Sequence, residues 1–229
     1  MLLNITKKRE GENSRNYIYQ TIRENILSLN LEPGQSISES EFTDTFKVSR
    51  TPIREAFIKL AEENLIDIFP QKGTYVTPIS MTYVEEAIFM RIHLENAVLL
   101  EAINNFPSKS HQELKTVFSL QKTLIDIGYS AYEFLKLDNL FHKIIFEGCN
   151  KERIWLQIDN MSTHYNRLRM LDLRGRINID KILEQHETFL KAIETKNTEN
   201  ISELLNTHLT NIFSKIDFLY KKYPSYFKK

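Results

Sequence analysis

The distribution of apolar positions along the chain predicts a mainly helical protein. Over long stretches, apolar residues recur at intervals of three and four, which is the period of an amphipathic α-helix. Glycine and proline are scarce, with 6 of each in 229 residues, and they punctuate these stretches. The breaks divide the chain into a short-element region at the start and a region of longer helices behind it.

Three short helices are predicted near the beginning of the chain. A stripe of isoleucine and leucine indicates the first, over about residues 14–29. Ser38 followed by Glu41 is a capping box, in which each side chain bonds the backbone N–H of the other residue, and it opens the second helix. For the third helix, we expect Thr51 to cap the N-terminus and Pro52 to occupy the first turn.

Two β-rich segments follow the third helix, at residues 66–69 and 74–77. They are joined by Pro-Gln-Lys-Gly at 70–73, residues that favour a turn, so the pair is predicted to form a small hairpin. Three helices followed by such a hairpin form a winged helix-turn-helix.

The remainder of the chain is predicted to be an all-α antiparallel bundle of about six helices. Pro78 and Ser80 mark the boundary. The expected helical stretches lie near residues 82–105, 109–127, 130–148, 151–170, 180–196 and 198–222. The expected domains are a flexible basic tail at 1–13 with Lys7, Lys8 and Arg9, a winged helix-turn-helix at 14–79, a helical domain at 80–222 and a tail at 223–229.

Composition narrows the possible partners and compartments. Lys plus Arg and Asp plus Glu are both 30, so net charge does not drive binding to nucleic acid, and any such site must be a local patch. The single Cys149 excludes an internal disulfide. No apolar run approaches the roughly 18 residues of a membrane span, and the first residues lack a signal-peptide core. We therefore expect a cytoplasmic protein with no membrane partner.

The start of the third helix carries the candidate DNA contacts. In a helix-turn-helix, the second helix of the pair inserts its first turn into the major groove, and here that turn holds Arg50 and Arg54. An arginine fork bonds O6 and N7 of guanine, which contributes about 1–3 kcal/mol of discrimination. Ser49 and Thr51 are short donors suited to phosphates, and Gly73 allows close backbone approach to DNA. The alternative is a protein-binding module with both arginines solvated.

Several residues of this region form a specific pattern: Pro33-Gly34, the run VSRTPIREA at 48–56, and a glycine at the hairpin tip. In this pattern, residues 31–79 closely resemble the winged helix-turn-helix of the GntR family of bacterial transcription regulators. Asn64 stands where the family usually has glycine, which predicts a positive φ, and Ser40 replaces an arginine that contacts DNA in some members. The resemblance implies operator contacts at Ser49, Arg50, Thr51, Arg54 and Gly73.

Four polar side chains lie on apolar helix faces in the second domain. Asp138 and His142 are four residues apart on one predicted helix and share its apolar face. His186 and His208 lie on the apolar stripes of two later helices. A buried carboxylate is costly unless paired, and a divalent cation bound by it and three neutral imidazoles satisfies all four groups. We predict one divalent transition metal per chain, with Zn, Ni, Mn and Fe all compatible.

A second pattern consists of Arg91 with Glu95, the run LDNLFHKIIFEGCNKERI at 137–154, and EQHETFLKAIETKNTENISELLNTHL at 184–209. Over about residues 82–215, it resembles the FCD ligand-binding domain of the FadR subfamily of GntR regulators. The resemblance implies that the same Asp and three His bind a metal, whose coordination a small carboxylate effector or water completes. It also implies an arginine near the effector, at Arg91.

Arg91 is the principal candidate for binding an effector, because a guanidinium fork matches a carboxylate. The alternative is that Arg91 only pairs with Glu95, one helical turn away. Tyr165, Asn166 and Arg169 flank an inward apolar stripe and are further candidate effector contacts.

The function that these features predict is a DNA-binding transcription regulator, a repressor, that binds a palindromic operator as a homodimer. Its operator binding is expected to respond to a small organic or sugar acid held at the metal site. One alternative is the same regulator with a purely structural metal and no effector. A metal-dependent enzyme of hydrolase type is disfavoured, because neither an independent general base nor a nucleophile motif accompanies the metal set.

Overall fold

The computed structural model describes residues 3–5, 8, 10–175 and 179–228. The chain divides into two compact units. The first combines Met1–Met81 with Tyr220–Lys229, and the second is Thr82–Leu219. Lys7 and Arg9 of the expected basic tail lie outside the described residues.

The first unit has the predicted winged helix-turn-helix architecture. Ser38 caps the second helix: its Oγ accepts from the N–H of Glu41 at 3.3 Å, and its own N–H donates to Glu41 Oε2 at 3.2 Å. The predicted capping box is therefore confirmed. The elements are α1 (Ser14–Leu27), β1 (Ser36–Ile37), α2 (Glu39–Phe46), α3 (Arg50–Glu62), β2 (Ile66–Phe69) and β3 (Gly73–Val76).

The wing is a three-stranded antiparallel sheet in the order β1-β3-β2, rather than a hairpin alone. Ser36 of β1 pairs with Tyr75 of β3, and Ile66 of β2 pairs with Val76. Sequence patterning misses β1 because two residues are too short to show an alternation. The predicted isoleucine stripe of α1 is fully buried, and Phe42 meets Phe57 edge-on at 5.5 Å, which fixes α2 against α3.

The next residues define both ends of α3 and the tip of the wing. The residue that caps α3 is Ser49, not Thr51, because the helix already begins at Arg50. Ser49 makes no side-chain cap hydrogen bond. After α3, Asn64 has a φ of 55°, which confirms the predicted positive value. At the tip of the wing, Gly73 has a φ of 109°, a conformation that favours glycine.

The end of the chain is packed, whereas a tail was expected from residue 223 onward. Residues 224–226 form a short 3-10 helix, and Phe227 is 5% exposed. Ile79 donates its N–H to Tyr226 O at 2.7 Å and accepts from Lys228 N at 2.9 Å, so Phe227 forms a parallel bridge with Ile79. The expectation of a tail over 223–228 was wrong, because burial of an aromatic side chain and a backbone ladder hold this segment.

The second unit is the predicted helical bundle, with two differences in its helices. The stretch expected as one helix over 151–170 is broken at Ser162, and the last stretch is interrupted by a 3-10 helix at Asn211–Lys215. The helices are α4 (Met81–Asn104), α5 (Ser108–Ile127), α6 (Ala131–Gly148), α7 (Glu152–Met161), α8 (Thr163–Leu173), α9 (Ile179–Thr195), α10 (Ile201–Thr210) and α11 (Ile216–Lys222).

The core of this unit leads directly to the polar cluster. Apolar residues of α4, α5, α6, α9 and α10 form one buried cluster. At its edge, the ring of Phe141 stacks on the ring of His186, with centroids 4.1 Å apart and planes within 4°. Phe189 flanks the same imidazole at 6.3 Å. These aromatic contacts hold the His186 ring in a fixed orientation.

Candidate metal centre and DNA-binding face

The four predicted metal ligands meet in the second unit. Asp138 and His142 come from α6, His186 from α9 and His208 from α10, and each offers a ligand atom within 4.8 Å of the others. His142 Nε2 lies 3.2 Å from His208 Nε2 and 3.8 Å from Asp138 Oδ2, while His186 Nε2 lies 3.6 Å from Asp138 Oδ1. These separations approach those between adjacent ligands of a cation, about 3 Å for metal–nitrogen bonds of about 2.1 Å.

Each imidazole of the cluster is oriented by a partner at its other ring nitrogen. His186 Nδ1 lies 2.9 Å from Gln121 Oε1, and His208 Nδ1 lies 2.9 Å from Gln185 Oε1. Since a carbonyl oxygen only accepts, both Nδ1 atoms carry the proton and both Nε2 atoms present a lone pair. Such outer partners fix the tautomer of metal-binding histidines.

The third imidazole has a carboxylate in the same role. His142 Nδ1 lies 2.7 Å from Glu95 Oε2. Burial opposes ionisation of Glu95, but the Arg91 guanidinium and the contact with His142 together outweigh it and lower the pKa of Glu95 to about 2. The ionised carboxylate beside Nδ1 favours a proton on that nitrogen, which leaves Nε2 directed toward the cluster.

The protonation states in the cluster suit a divalent cation. Burial lowers the pKa of His186 to about 3 and holds the pKa of His208 well below its ordinary value, so both imidazoles are neutral at neutral pH. Burial raises the pKa of Asp138, but the Arg169 charge and the three neighbouring imidazoles together outweigh this and keep the pKa of that carboxyl below its usual range. Neutral imidazoles and an ionised carboxylate are the forms that bind metal.

Two atoms of the cluster provide a direct test of whether a cation fits. Asp138 Oδ1 and His186 Nε2 are buried and, among the described residues, neither has a hydrogen-bond partner. Oδ2, the other oxygen of Asp138, is held by Arg169 Nη2. Unpaired buried acceptors are costly, and two imidazole lone pairs facing each other at 3.2 Å add repulsion. A cation bonded by these atoms removes both costs, so the residues fit a metal.

A cavity of about 40 Å³ adjoins the cluster, and its lining includes Arg91, Asp138, Tyr165, Arg169 and His208. This volume accommodates roughly three water molecules. Three of the four predicted effector contacts therefore line the cavity. Asn166 is absent from the lining and instead accepts from Arg169 Nη1 at 3.3 Å. The Tyr165 ring contacts both guanidinium groups, with its centroid 5.2 Å from Cζ of Arg91 and 5.4 Å from Cζ of Arg169.

Arg91 forms the ion pair considered from the sequence and also has a terminal nitrogen without a partner among the described residues. Its Nε donates to Glu95, which is the ion pair considered as the alternative to effector binding. Its Nη2 is buried and, within the described part of the chain, has no hydrogen-bond partner, although Arg91 lines the cavity. A buried guanidinium N–H without an acceptor favours an anionic ligand at that position.

The predicted DNA contacts are all exposed on the first unit. Ser49, Arg50, Thr51 and Arg54 are all exposed at the start of α3, and Gly73 is exposed at the wing. In the part of the chain that the structure describes, neither Arg50 nor Arg54 forms an ion pair, so both forks are free to bind other groups.

Comparison with known proteins assigns both units. Residues 15–76 match the family described as bacterial regulatory proteins, gntR family, and residues 86–211 match the FCD domain. The chain belongs to the GntR family. Members of these families are transcription regulators and not enzymes, and the FCD domain places this GntR regulator in a FadR-like subfamily.

Relatives and solved structures agree with this assignment. The HTH-type transcriptional repressor RspR of Escherichia coli K12 is 31% identical over 199 residues, covering 87% of each chain. The gluconate operon transcriptional repressor of Bacillus licheniformis is 27% identical over 205 residues, covering 87% of this chain and 83% of the relative. The structure of E. coli McbR/YncC shares the fold, with a TM-score of 0.72 and 19% identity over 93% of this chain and 99% of that chain.

Two further structural findings concern this GntR regulator. Of the helices in the described residues, none has the length and apolar character needed to cross a membrane.

Sequence reasoning missed the three partners of the imidazoles, Glu95, Gln121 and Gln185. Gln121 carries a weak signal, since it continues the apolar spacing of Leu114 and Val117 along α5. Gln185 carries none, because it bonds a histidine on another helix.

Proposed function

We propose that this GntR regulator is a cytoplasmic homodimeric repressor whose operator binding is controlled by a small carboxylate acid. The acid binds beside a divalent metal held by Asp138, His142, His186 and His208. Two relatives are named as repressors, which supports the sign of regulation. A dimer on a palindromic operator follows from the way helix-turn-helix proteins match their own two-fold symmetry to that of DNA.

On the DNA side, Arg50 and Arg54 are proposed to bind guanine edges in the major groove. Both are exposed at the start of α3. The Ser49 hydroxyl makes no cap hydrogen bond, so it is free to donate to a phosphate. Thr51 is proposed to bind a phosphate next to it, and Gly73 to bring the backbone of the wing against the DNA strand.

On the effector side, the observation that carries the proposal is that Arg91, whose buried Nη2 has no hydrogen-bond partner among the described residues, lines a cavity together with two metal ligands. Arg91, Asp138 and His208 line the same small space. When bound, the metal supplies coordination positions that a carboxylate oxygen can fill. Arg91 then binds the second carboxylate oxygen, and Arg169 helps to keep Asp138 ionised. Tyr165 lines the same cavity, and its ring is close to both guanidinium groups.

The size of the cavity limits the acid. Space for roughly three waters admits a small hydroxy acid at its carboxyl end. A sugar acid requires the lining side chains to separate. A relative is named for the gluconate operon, so gluconate is the first sugar acid to test.

Arg91→Ala is expected to weaken acid binding about 10- to 150-fold, because a charge-assisted hydrogen bond contributes about 1.5–3 kcal/mol. Metal content should be preserved, since Arg91 is not a ligand. The measurement is calorimetric titration of metal-loaded protein with acids from glycolate to gluconate. Arg91→Lys keeps the charge beside Glu95 but loses the fork, and should also bind weakly.

Arg153→Ala provides the matched control, because Arg153 is exposed on α7 and outside the cavity lining. This variant should bind the acid as the wild type does. An acid that binds wild type and Arg91→Ala equally well would show that the effector pocket lies elsewhere.

A further inference from the structure

The three side chains that orient the metal-facing imidazoles differ in charge. Gln121 and Gln185 present neutral amide oxygens to His186 and His208. Glu95 presents a carboxylate to His142. Of these three histidines, His142 is the one with a charged partner at Nδ1.

Glu95 also contacts the cavity-lining arginine. Arg91 Nε donates to Glu95 Oε1, and Glu95 Oε2 lies 2.7 Å from His142 Nδ1. Arg91, Glu95 and His142 are 1%, 3% and 2% exposed. The two oxygens of one buried carboxylate thus join the group that faces the anion to the group that faces the metal.

We infer that Glu95 couples anion binding at Arg91 to cation binding at His142, so that the two ligands bind cooperatively. This inference rests on the proposed metal and effector site and specifies how its two halves communicate. Glu95 is a positioning residue in this account, because it is separated from the anion by Arg91 and from the cation by His142.

The coupling follows from how one positive charge is shared. Glu95 is stabilised by Arg91, whose Nη2 has no partner among the described residues. An anion on Nη2 takes part of the guanidinium charge, so Glu95 accepts more strongly from His142 Nδ1–H. A stronger hydrogen bond at Nδ1 makes Nε2 a better electron-pair donor. Because the groups are buried, little solvent screens this exchange of charge.

The same series of contacts also transmits the effect of cation binding at His142 back to Arg91. His142 bound to a cation through Nε2 donates more strongly from Nδ1, which draws Glu95 toward His142. Arg91 is then less neutralised by Glu95 and binds an anion more tightly. Reciprocity of this kind is a requirement of thermodynamic linkage.

Arg169, the other cavity-lining arginine, offers no equivalent path. Its Nη1 donates to Asn139 at 2.8 Å and to Asn166 at 3.3 Å, and its Nη2 donates to Asp138. These bonds engage both of its terminal nitrogens. Arg91 is therefore the arginine at which an added anion redistributes charge.

The test measures Zn²⁺ affinity by chelator competition, with nitrate or acetate added against chloride at constant ionic strength. Nitrate is planar like a carboxylate and ligates zinc poorly, so it isolates the Arg91 path. In the wild type, either anion should tighten zinc binding at least about fivefold. In Glu95→Gln, zinc should still bind, and nitrate should change its affinity by less than about twofold.

Glu101→Gln is the matched control, because Glu101 lies on the same helix but is exposed and paired with Lys151 at 2.5 Å. It should keep the wild-type response. A wild-type response in Glu95→Gln would overturn the inference. Zinc binding by the wild type that no anion alters would also overturn it, while leaving the metal site intact. Absence of zinc binding would overturn both proposals.

A measurement on the wild type avoids reliance on the folding of Glu95→Gln. In zinc-loaded protein labelled with ¹⁵N-histidine, nitrate should move the Nδ1–H resonance of His142 downfield. The Nδ1–H resonances of His186 and His208, which face neutral amides, should move less. Equal shifts of all three resonances, or no shift at His142, would contradict a role for Glu95.

Discussion

His186→Ala is expected to weaken metal binding by more than about 100-fold, which exceeds the usual loss caused by removing an outer partner of a ligand. His186 is fully buried, and its Nε2 faces Asp138. Saturating metal at about 100 times its dissociation constant should stabilise the wild type by about 2.7 kcal/mol, or about 5–10 °C in melting temperature. The variant should show no such shift. Elemental analysis and thermal melts with and without Zn²⁺, Ni²⁺ or Mn²⁺ measure both effects.

His93→Ala is the control for this experiment, since His93 is exposed on α4 and contacts Phe89 O rather than the cluster. It should keep both the metal and the metal-dependent melting shift. Wild-type protein that contains no metal and gains no stability from any of the three ions would contradict the metal site.

Arg50→Ala and Arg54→Ala are each expected to weaken specific operator binding by about 1–3 kcal/mol, or roughly 5- to 150-fold, through loss of a bidentate base contact. Binding to unrelated DNA should change much less, because base contacts and not phosphate contacts discriminate sequence. Titrations of an operator selected from random DNA, at several salt concentrations, measure both quantities.

Arg153→Ala removes the same charge from an exposed position on α7 and should leave operator affinity unchanged. If Arg50→Ala and Arg54→Ala weaken all DNA equally and reduce the salt slope by about one, they are phosphate contacts. Unchanged affinity in both variants, with unchanged circular dichroism, would mean that α3 does not bind the operator as proposed.

The parts of the fold that the sequence predicted are those governed by local chemistry. The capping box of Ser38 and Glu41 and the positive φ of Asn64 each depend on a few neighbouring residues. The start of α3 was displaced by two residues, because Ser49 and Thr51 are both good cap residues and the sequence does not choose between them.

Features that depend on distant residues were not predictable. The break between α7 and α8 at Ser162 has no glycine or proline to mark it. The backbone bridge between Phe227 and Ile79 joins residues far apart in sequence. Both are tertiary effects that override a local pattern.

The candidate site also has a part that the sequence predicted and a part that it did not. Asp138 and the three histidines were predicted to meet because polar side chains on apolar helix faces must be satisfied together, and the structure brings them within 4.8 Å of one another. The residues that orient the three histidines could be identified only from the structure. Gln185 is adjacent to one candidate ligand, His186, yet orients another, His208, on a different helix.

The most direct test of the central claim is operator affinity measured with and without each acid, in metal-loaded and metal-stripped protein. We predict that at least one acid changes operator affinity by about 5- to 150-fold in metal-loaded protein and by much less after stripping. By linkage, operator DNA must change the affinity for that acid by the same factor. Operator affinity that no acid of the panel alters, or a response equally large after the metal has been removed, would contradict control of DNA binding by an acid at the metal site.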